Sequence, residues 1–159
     1  MENLIKTMYS NRTAIIIRGL SGSGKTTLAQ KIGVECVQNG MSASIHETDT
    51  LFMKDGEYKF DPSLLGEYHE KNLKGFCDSI DNGTHIVINC NTNTMHWEYA
   101  KYVLYAVQRG YNIQIIDLFD NGQLDDTLHS RQLHDFPRDK YGVCRDRYER
   151  EYYKPPTQS

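Results

Sequence analysis

The stretch Gly19-Leu20-Ser21-Gly22-Ser23-Gly24-Lys25-Thr26 decides how this chain is read. It matches the pattern GxxxxGK[ST], and its flanks are the ones that give the pattern meaning. Ala14-Ile15-Ile16-Ile17, a short apolar and β-branched run, precedes it, and the helix-compatible run Leu28-Ala29-Gln30-Lys31-Ile32 follows. Strand, glycine loop and helix in that order form a phosphate cradle. Glycines let the backbone fold tightly and aim its N–H groups inward, and the helix adds its positive N-terminal end. The expected cofactors are therefore ATP and Mg²⁺. Gly19, Ser21, Gly22, Ser23, Gly24, Lys25, Thr26 and Thr27 are the expected binding set. Lys25 would reach the β- and γ-phosphates, and the Thr26 hydroxyl would hold the metal. The alternative is a glycine-rich turn that binds nothing.

Working outward, strands are predicted at about 13–18, 42–48, 85–89 and 112–118, with helices at about 24–39, 62–81, 95–109, 123–133 and 137–152. Asn39-Gly40 and Asn82-Gly83 are helix stops, and Asp61-Pro62 reads as N-cap and first helical position. Met1–Asn11 is polar, either loose or a short helix. No fifth apolar run follows residue 120. Strands alternating with helices argue for an α/β, three-layer P-loop NTPase fold of the nucleoside- and nucleotide-kinase type. Its mainly parallel sheet would have four to five strands, with a helical lid. The expectation is a single domain over 1–159, with an ordered core of about 12–152. The ligand crevice should lie at the carboxyl ends of the strands. That edge holds Gly19–Thr26, Asp49, Cys90–Asn93 and Asp117–Asp120.

Bulk properties narrow the class. A net charge of −3 carries no global basic signature of nucleic-acid binding, though a local basic groove stays open. The four cysteines (Cys36, Cys77, Cys90, Cys144) show no CxxC spacing and read as reduced thiols in a cytoplasmic protein. The six histidines form no HExxH or similar ligand spacing, and His69, His96, His129 and His134 read as surface or partly packed groups. No apolar run is long enough for a membrane span. No Asn-Lys-x-Asp motif is present, which counts against a GTPase, and 159 residues leave no room for the extra domains of motor ATPases. A small enzyme moving a γ-phosphoryl group to a bound acceptor is the natural reading.

Such an enzyme needs a group to orient the nucleophile. Asp49, at the end of the second strand, can accept a hydrogen bond from an acceptor hydroxyl and take its proton. The alternative is a cap for Leu51-Phe52. Arg131 lies in the polar segment Leu128–His134, where a lid could bring its guanidinium to the transferring phosphoryl group. A solvated helix face is the competing reading. Arg138, Arg145, Arg147 and Arg150 pair well in sequence with Asp146, Glu149 and Glu151, which favours a surface role. Trp97, Tyr99 and Tyr102 either stack on a base or belong to the core, and the spacing favours the core. Position at the sheet edge alone suggests that Asp117 or Asp120 helps with the metal.

Several segments together are similar to the polynucleotide-kinase-type P-loop kinases. They are Ile17–Thr27, Thr48-Asp49, Tyr58-Lys59-Phe60, Leu65–His69 and Asn91-Thr92-Asn93-Thr94 with Trp97-Glu98. The chain resembles the AAA-like kinase domain of Nedd-binding-protein-like proteins and, more distantly, the bacteriophage 5′-polynucleotide kinases. The similarity extends over Arg131, His134 and Arg147-Tyr148-Glu149. It implies a 5′-hydroxyl kinase acting on nucleic acid ends with ATP and Mg²⁺. Lys25 and Thr26 would sit on the phosphates and metal, Asp49 would be general base, and Arg131 would be in the lid. Three departures stand out. The family commonly has Asp just before Asn-Thr-Asn, where this chain has Cys90, so any magnesium-shell role of that carboxylate is lost or moved. The bacteriophage-type arginine three residues after the base is replaced by Phe52, and a second lid arginine is replaced near Asp135. These losses leave open a different acceptor, such as a nucleotide or small hydroxyl compound. They also leave open an ATP-binding module without transfer. Oligomerisation stays open.

Overall fold

The computed structural model describes residues 2–132 and 136–156. The chain runs through α1 (Glu2–Met8), β1 (Thr13–Gly19), α2 (Lys25–Gln38), β2 (Ala43–His46), a 3₁₀ turn (Thr48–Phe52) and a small hairpin of β3 (Met53–Lys54) and β4 (Glu57–Tyr58). A second 3₁₀ turn (Pro62–Leu64) leads into α3 (Leu65–Asp81), β5 (Ile86–Cys90), α4 (His96–Gln108), β6 (Asn112–Phe119) and α5 (Asp125–Arg131). A third 3₁₀ turn (Arg138–Lys140) precedes α6 (Tyr141–Arg147). Among the described residues β2, β5, β1 and β6 lie in that order in one parallel sheet, and the β3–β4 hairpin stands apart.

The continuous apolar run of β1 is what a strand covered on both faces requires. Alternate residues serve opposite layers. Ala14 and Ile16, with Val87, pack against Phe76, Ile80, Tyr99, Tyr102 and Val103 of α3 and α4. Ile15 and Ile17, with Ile86, Ile88 and Cys90, pack against Ala29 and Cys36 of α2 and against Tyr9 just beyond α1. A third cluster of Leu20, Leu128, Tyr141 and Tyr148 ties the glycine loop to α5 and α6. The fold is thus the three-layer α/β arrangement expected, with four strands in the main sheet. Asp61 accepts from Ser63 N–H at 3.0 Å and opens the α3 segment, as its place before Pro62 suggested.

Two departures from the expected boundaries trace to specific contacts. The second strand stops at His46 because Thr48 N–H donates to Asn91 Oδ1 at 3.0 Å and the chain turns into the 3₁₀ segment. The last helix ends at Arg147 and not near residue 152. Tertiary contacts pull the chain out of the helix there. Tyr148 Oη donates to Asp117 Oδ1 at 2.6 Å, Glu149 N–H to Thr94 O at 2.7 Å, and Arg18 Nη2 to Glu149 O at 2.6 Å.

Arg18 is the centre of this arrangement. It is fully buried at the end of β1. Its guanidinium donates to Asn93 O (2.8 Å), Thr94 O (3.1 Å) and Glu149 O (2.6 Å), and pairs with Asp117 at 3.3 Å. The rings of Tyr99 and Tyr148 cover it, with centroids 4.8 and 4.6 Å from the guanidinium carbon. A planar five-donor group meets these acceptors in one plane, which an ammonium does not. Arg18→Met leaves Asp117 buried without its cation and should cost about 3–5 kcal/mol. Urea unfolding checks this. A loss below about 1 kcal/mol, the size of an ordinary surface substitution, would remove Arg18 from this central role.

Candidate active site

The glycine loop bridges β1 and α2 and is braced from three sides. Gly19 N–H donates to Thr92 O at 3.1 Å, Leu20 N–H to Phe119 O at 2.7 Å, and Asn121 Nδ2 to Ser23 O at 3.1 Å. Tyr141 Oη of α6 donates to Ser21 O at 3.0 Å. Gly22 has φ +84°, and a Cβ there would stand 2.1 Å from Leu128 O of α5. The loop therefore needs glycine at this point both for its backbone angle and for the close approach of α5. Ser23 Oγ is buried and has no hydrogen-bond partner among the described residues. Leu28 N–H bonds back to Gly24 O at 3.0 Å, so the first amides of the 14-residue α2 face the loop.

The loop opens into a cleft of about 1150 Å³ at the carboxyl ends of the strands. Ser21, Gly22, Gly24, Lys25, Thr26, Thr27, Asp49 and Arg131 all line it. Gly19 lies beneath the loop, where a Cβ would meet Ser23 Oγ at 2.4 Å, and Ser23 is buried. Lys25 Nζ donates to Leu20 O at 3.0 Å. Burial pushes its ammonium below the ordinary lysine value, opposed by the nearby Cys90, Glu47 and Asp49 groups. Asp49 sits within the 3₁₀ turn Thr48–Phe52, and the cap position of that turn belongs to Glu47. Arg131 is the last residue of α5. His134 and Asp135 lie outside the described residues.

Other expectations resolve differently. Asp117 is taken up by Arg18, Tyr148 and the Phe119 N–H, and Asp120 by Arg145 at 2.8 Å. The suggestion that either aids the metal is therefore corrected. Arg138 and Arg145 are engaged in ion pairs, but with Asp125, Asp126 and Asp120 and not with the sequence neighbours Asp146, Glu149 and Glu151, whereas Arg147 lines the cleft and reaches Glu98 at 2.6 Å. The aromatic trio divides. Tyr99 and Tyr102 are core, while Trp97 is 61% exposed at the cleft. Phe52 is buried in a cluster with Tyr58, Phe60 and Tyr68.

Several cleft residues escaped the sequence reading. Glu47 is 8% exposed and accepts from Thr26 Oγ1 at 2.9 Å. Its place two residues before Asp49, at the carboxyl end of a strand, was the available signal. His69 is exposed, within its reading as a surface or partly packed group, but it also lines the cleft and contacts Thr48 Oγ1 at 3.0 Å. Lys101 and Lys140 line it as well. Cys90 closes the floor, and burial pushes its thiol up to about 12, so it presents a neutral S–H at neutral pH.

A phosphate loop opening a helix, with Asp49 on the wall of the same cleft, is the setting for the comparisons with known proteins. A profile of the AAA domain family matches residues 15–150. The chain belongs to that family. It is 33% identical over 108 residues to human NEDD4-binding protein 2, a match covering 68% of this chain and 6% of that protein, so the chain spans a small part of that relative. Solved structures share the fold at low identity. A Pnkp1/Rnl/Hen1 RNA repair complex superposes with a TM-score of 0.62 at 16% identity, over 86% of this chain and 44% of that one. APS kinase CysC from Mycobacterium tuberculosis, in complex with AMPPNP and APS, gives 0.57 at 17%, over 92% and 85%. Kti12 from Chaetomium thermophilum, in complex with ADP-AlF3, gives 0.58 at 16%, over 86% and 80%. Its fold is of the P-loop kinase type. Among its described residues no helix is long and apolar enough to cross a membrane.

The Gly22 contact yields a sharp expectation. Gly22→Ala places a Cβ against the Leu128 carbonyl and strains a positive φ, costing about 1–3 kcal/mol and weakening nucleotide binding. Gly24→Ala, with φ +99° but open space, adds strain without the clash. Thermal melts and ADP titration of the two variants check the order; equal effects would discount the α5 contact.

Proposed function

We propose that the chain transfers the γ-phosphoryl group of ATP to a hydroxyl, with a nucleic acid 5′ end as the acceptor. The observation that carries this reading is that Lys25 and Thr26 of the phosphate loop and the Asp49 carboxylate line one cleft. The acceptor assignment draws on the exposed Trp97 ring with Lys101, Lys140 and Arg147 around the same cleft, an aromatic platform with cations for a single strand. The RNA repair complex among the structural neighbours is consistent with it.

In this reading the loop amides and Lys25 hold the β- and γ-phosphates, and Asp49 receives the acceptor proton as the new O–P bond forms and the bond from the γ-phosphorus to the β–γ bridging oxygen breaks, releasing ADP. Arg131 would neutralise charge on the transferring group from the end of α5. Thr26 and Glu47 offer hard oxygen donors suited to Mg²⁺, and Ser23 Oγ is a buried polar atom of the loop without a partner among the described residues. Bound there, the ion would supply positive charge to offset that of the phosphates. Among the described residues no group of three or more His, Cys, Asp or Glu is placed to hold a metal alone, which suits an ion that arrives with the nucleotide.

One observation favours a second reading, a kinase of nucleosides, nucleotides or another small hydroxyl compound. Phe52, three residues after Asp49, is buried in its aromatic cluster and offers nothing to an acceptor phosphate. Incubation with γ-labelled ATP and Mg²⁺ against 5′-hydroxyl DNA, 5′-hydroxyl RNA, nucleosides and nucleotides decides. Label on oligonucleotide ends is expected. Label on monomers alone would support the second reading, and nucleotide binding without any label would make the chain a non-catalytic module. Asp49→Asn should lower transfer about 10²–10⁴-fold with ATP affinity unchanged; an active variant would remove Asp49 from the base role.

A further inference from the structure

We infer that Glu47 is the positioning residue for the divalent cation, supplying from the end of β2 the carboxylate that the end of β5 lacks. The inference rests on the nucleotide-binding part of the reading above. Thr26 Oγ1 donates its proton to Glu47 Oε1 at 2.9 Å. A hydroxyl whose proton is committed in this way keeps its lone pairs for a metal, and the acceptor carboxylate fixes their direction. Glu47 is 8% exposed, so its charge is screened little by solvent, and it lines the cleft beside Thr26.

Neighbouring groups agree with this placement. Cys90 ends β5, is fully buried and lines the same cleft, and its sulfur offers no hard oxygen to a cation. Asp117 and Asp120, at the end of β6, are committed to Arg18 and Arg145. Asp49 lies two residues further along the 3₁₀ turn. The two carboxylates therefore divide the work: Glu47 faces the phosphate loop through Thr26, and Asp49 serves the acceptor. The backbone holds this division, because Glu47 O accepts from both Thr50 N–H (3.2 Å) and Thr50 Oγ1 (2.7 Å), while Thr48 N–H is fixed by Asn91.

The test is ADP titration by calorimetry across a series of Mg²⁺ concentrations. Glu47→Gln keeps the size of the side chain and an oxygen to accept from Thr26, but removes the charge. It should raise the Mg²⁺ concentration needed for half of the metal-dependent gain by about 10–100-fold, with metal-free ADP binding at least as tight as in the wild type. Glu47→Asp should retain the metal dependence. In the double variant Glu47→Gln, Cys90→Asp, a carboxylate returns from the β5 side and the midpoint should fall back towards the wild-type value. Thr26→Val and Glu47→Gln should be non-additive, since one acts through the other. An unchanged midpoint in Glu47→Gln overturns this inference alone, and absence of ADP binding by the wild type overturns both this and the proposed function. Should Glu47→Gln fail to fold, Glu47→Ala is titrated in its place: a raised Mg²⁺ midpoint is expected, and an unchanged midpoint overturns the inference.

Discussion

A buried guanidinium holds this molecule's working edge together. Arg18 is the penultimate residue of β1, just before the glycine loop, at the point where the register between β1 and β6 shifts. Desolvating an arginine is expensive, and the expense is offset only when carbonyls, a carboxylate and aromatic faces surround it. Here they come from the Asn93–Thr94 loop, from Asp117 on β6 and from Glu149 beyond α6. One side chain thus fixes three segments, themselves cross-linked through Tyr148 and Glu149, against the strand that launches the phosphate loop. The loop inherits its geometry from that anchorage.

The same logic explains the Asn91–Thr94 segment. Asn91 bridges to the end of β2 through Thr48, and Asn93, with φ +49°, donates to Ile17 O on β1 at 3.0 Å. These amides stitch the carboxyl ends of β2, β5 and β1 into a single rim. Asparagine suits this work because it tolerates a left-handed backbone and carries both donor and acceptor on a short stem. The rim is therefore a structural frame as well as a wall of the cleft.

Much of this was legible in the chain itself, for physical reasons. The β-branched runs at 13–18 and 85–89 have no stable solvent-exposed alternative, Asp61-Pro62 and Asn39-Gly40 carry local start and stop chemistry, and GxxxxGKT needs its flanking strand and helix. What stayed hidden depends on distant partners. The contacts of Arg18 lie 75 to 131 positions away, and they end the last helix five residues before its composition would. Trp97 and Tyr99 are two residues apart and face different surroundings, a difference that periodicity alone assigned to one class. Glu47 was passed over because Asp49 already filled the single carboxylate role sought at that strand end. The binding of Thr26 to a residue 21 positions away became visible only in three dimensions.

The approach of α5 to the loop has its own meaning for motion. With the Leu128 carbonyl seated against Gly22 and the Tyr141 hydroxyl on Ser21, no slack separates the cradle from the helices above it. A widening of the cradle would therefore press on the segment that ends in Arg131. In the proposed reading, occupancy and the posture of that segment would form one mechanical coordinate, with an arriving nucleotide pressing on the helix that carries the guanidinium.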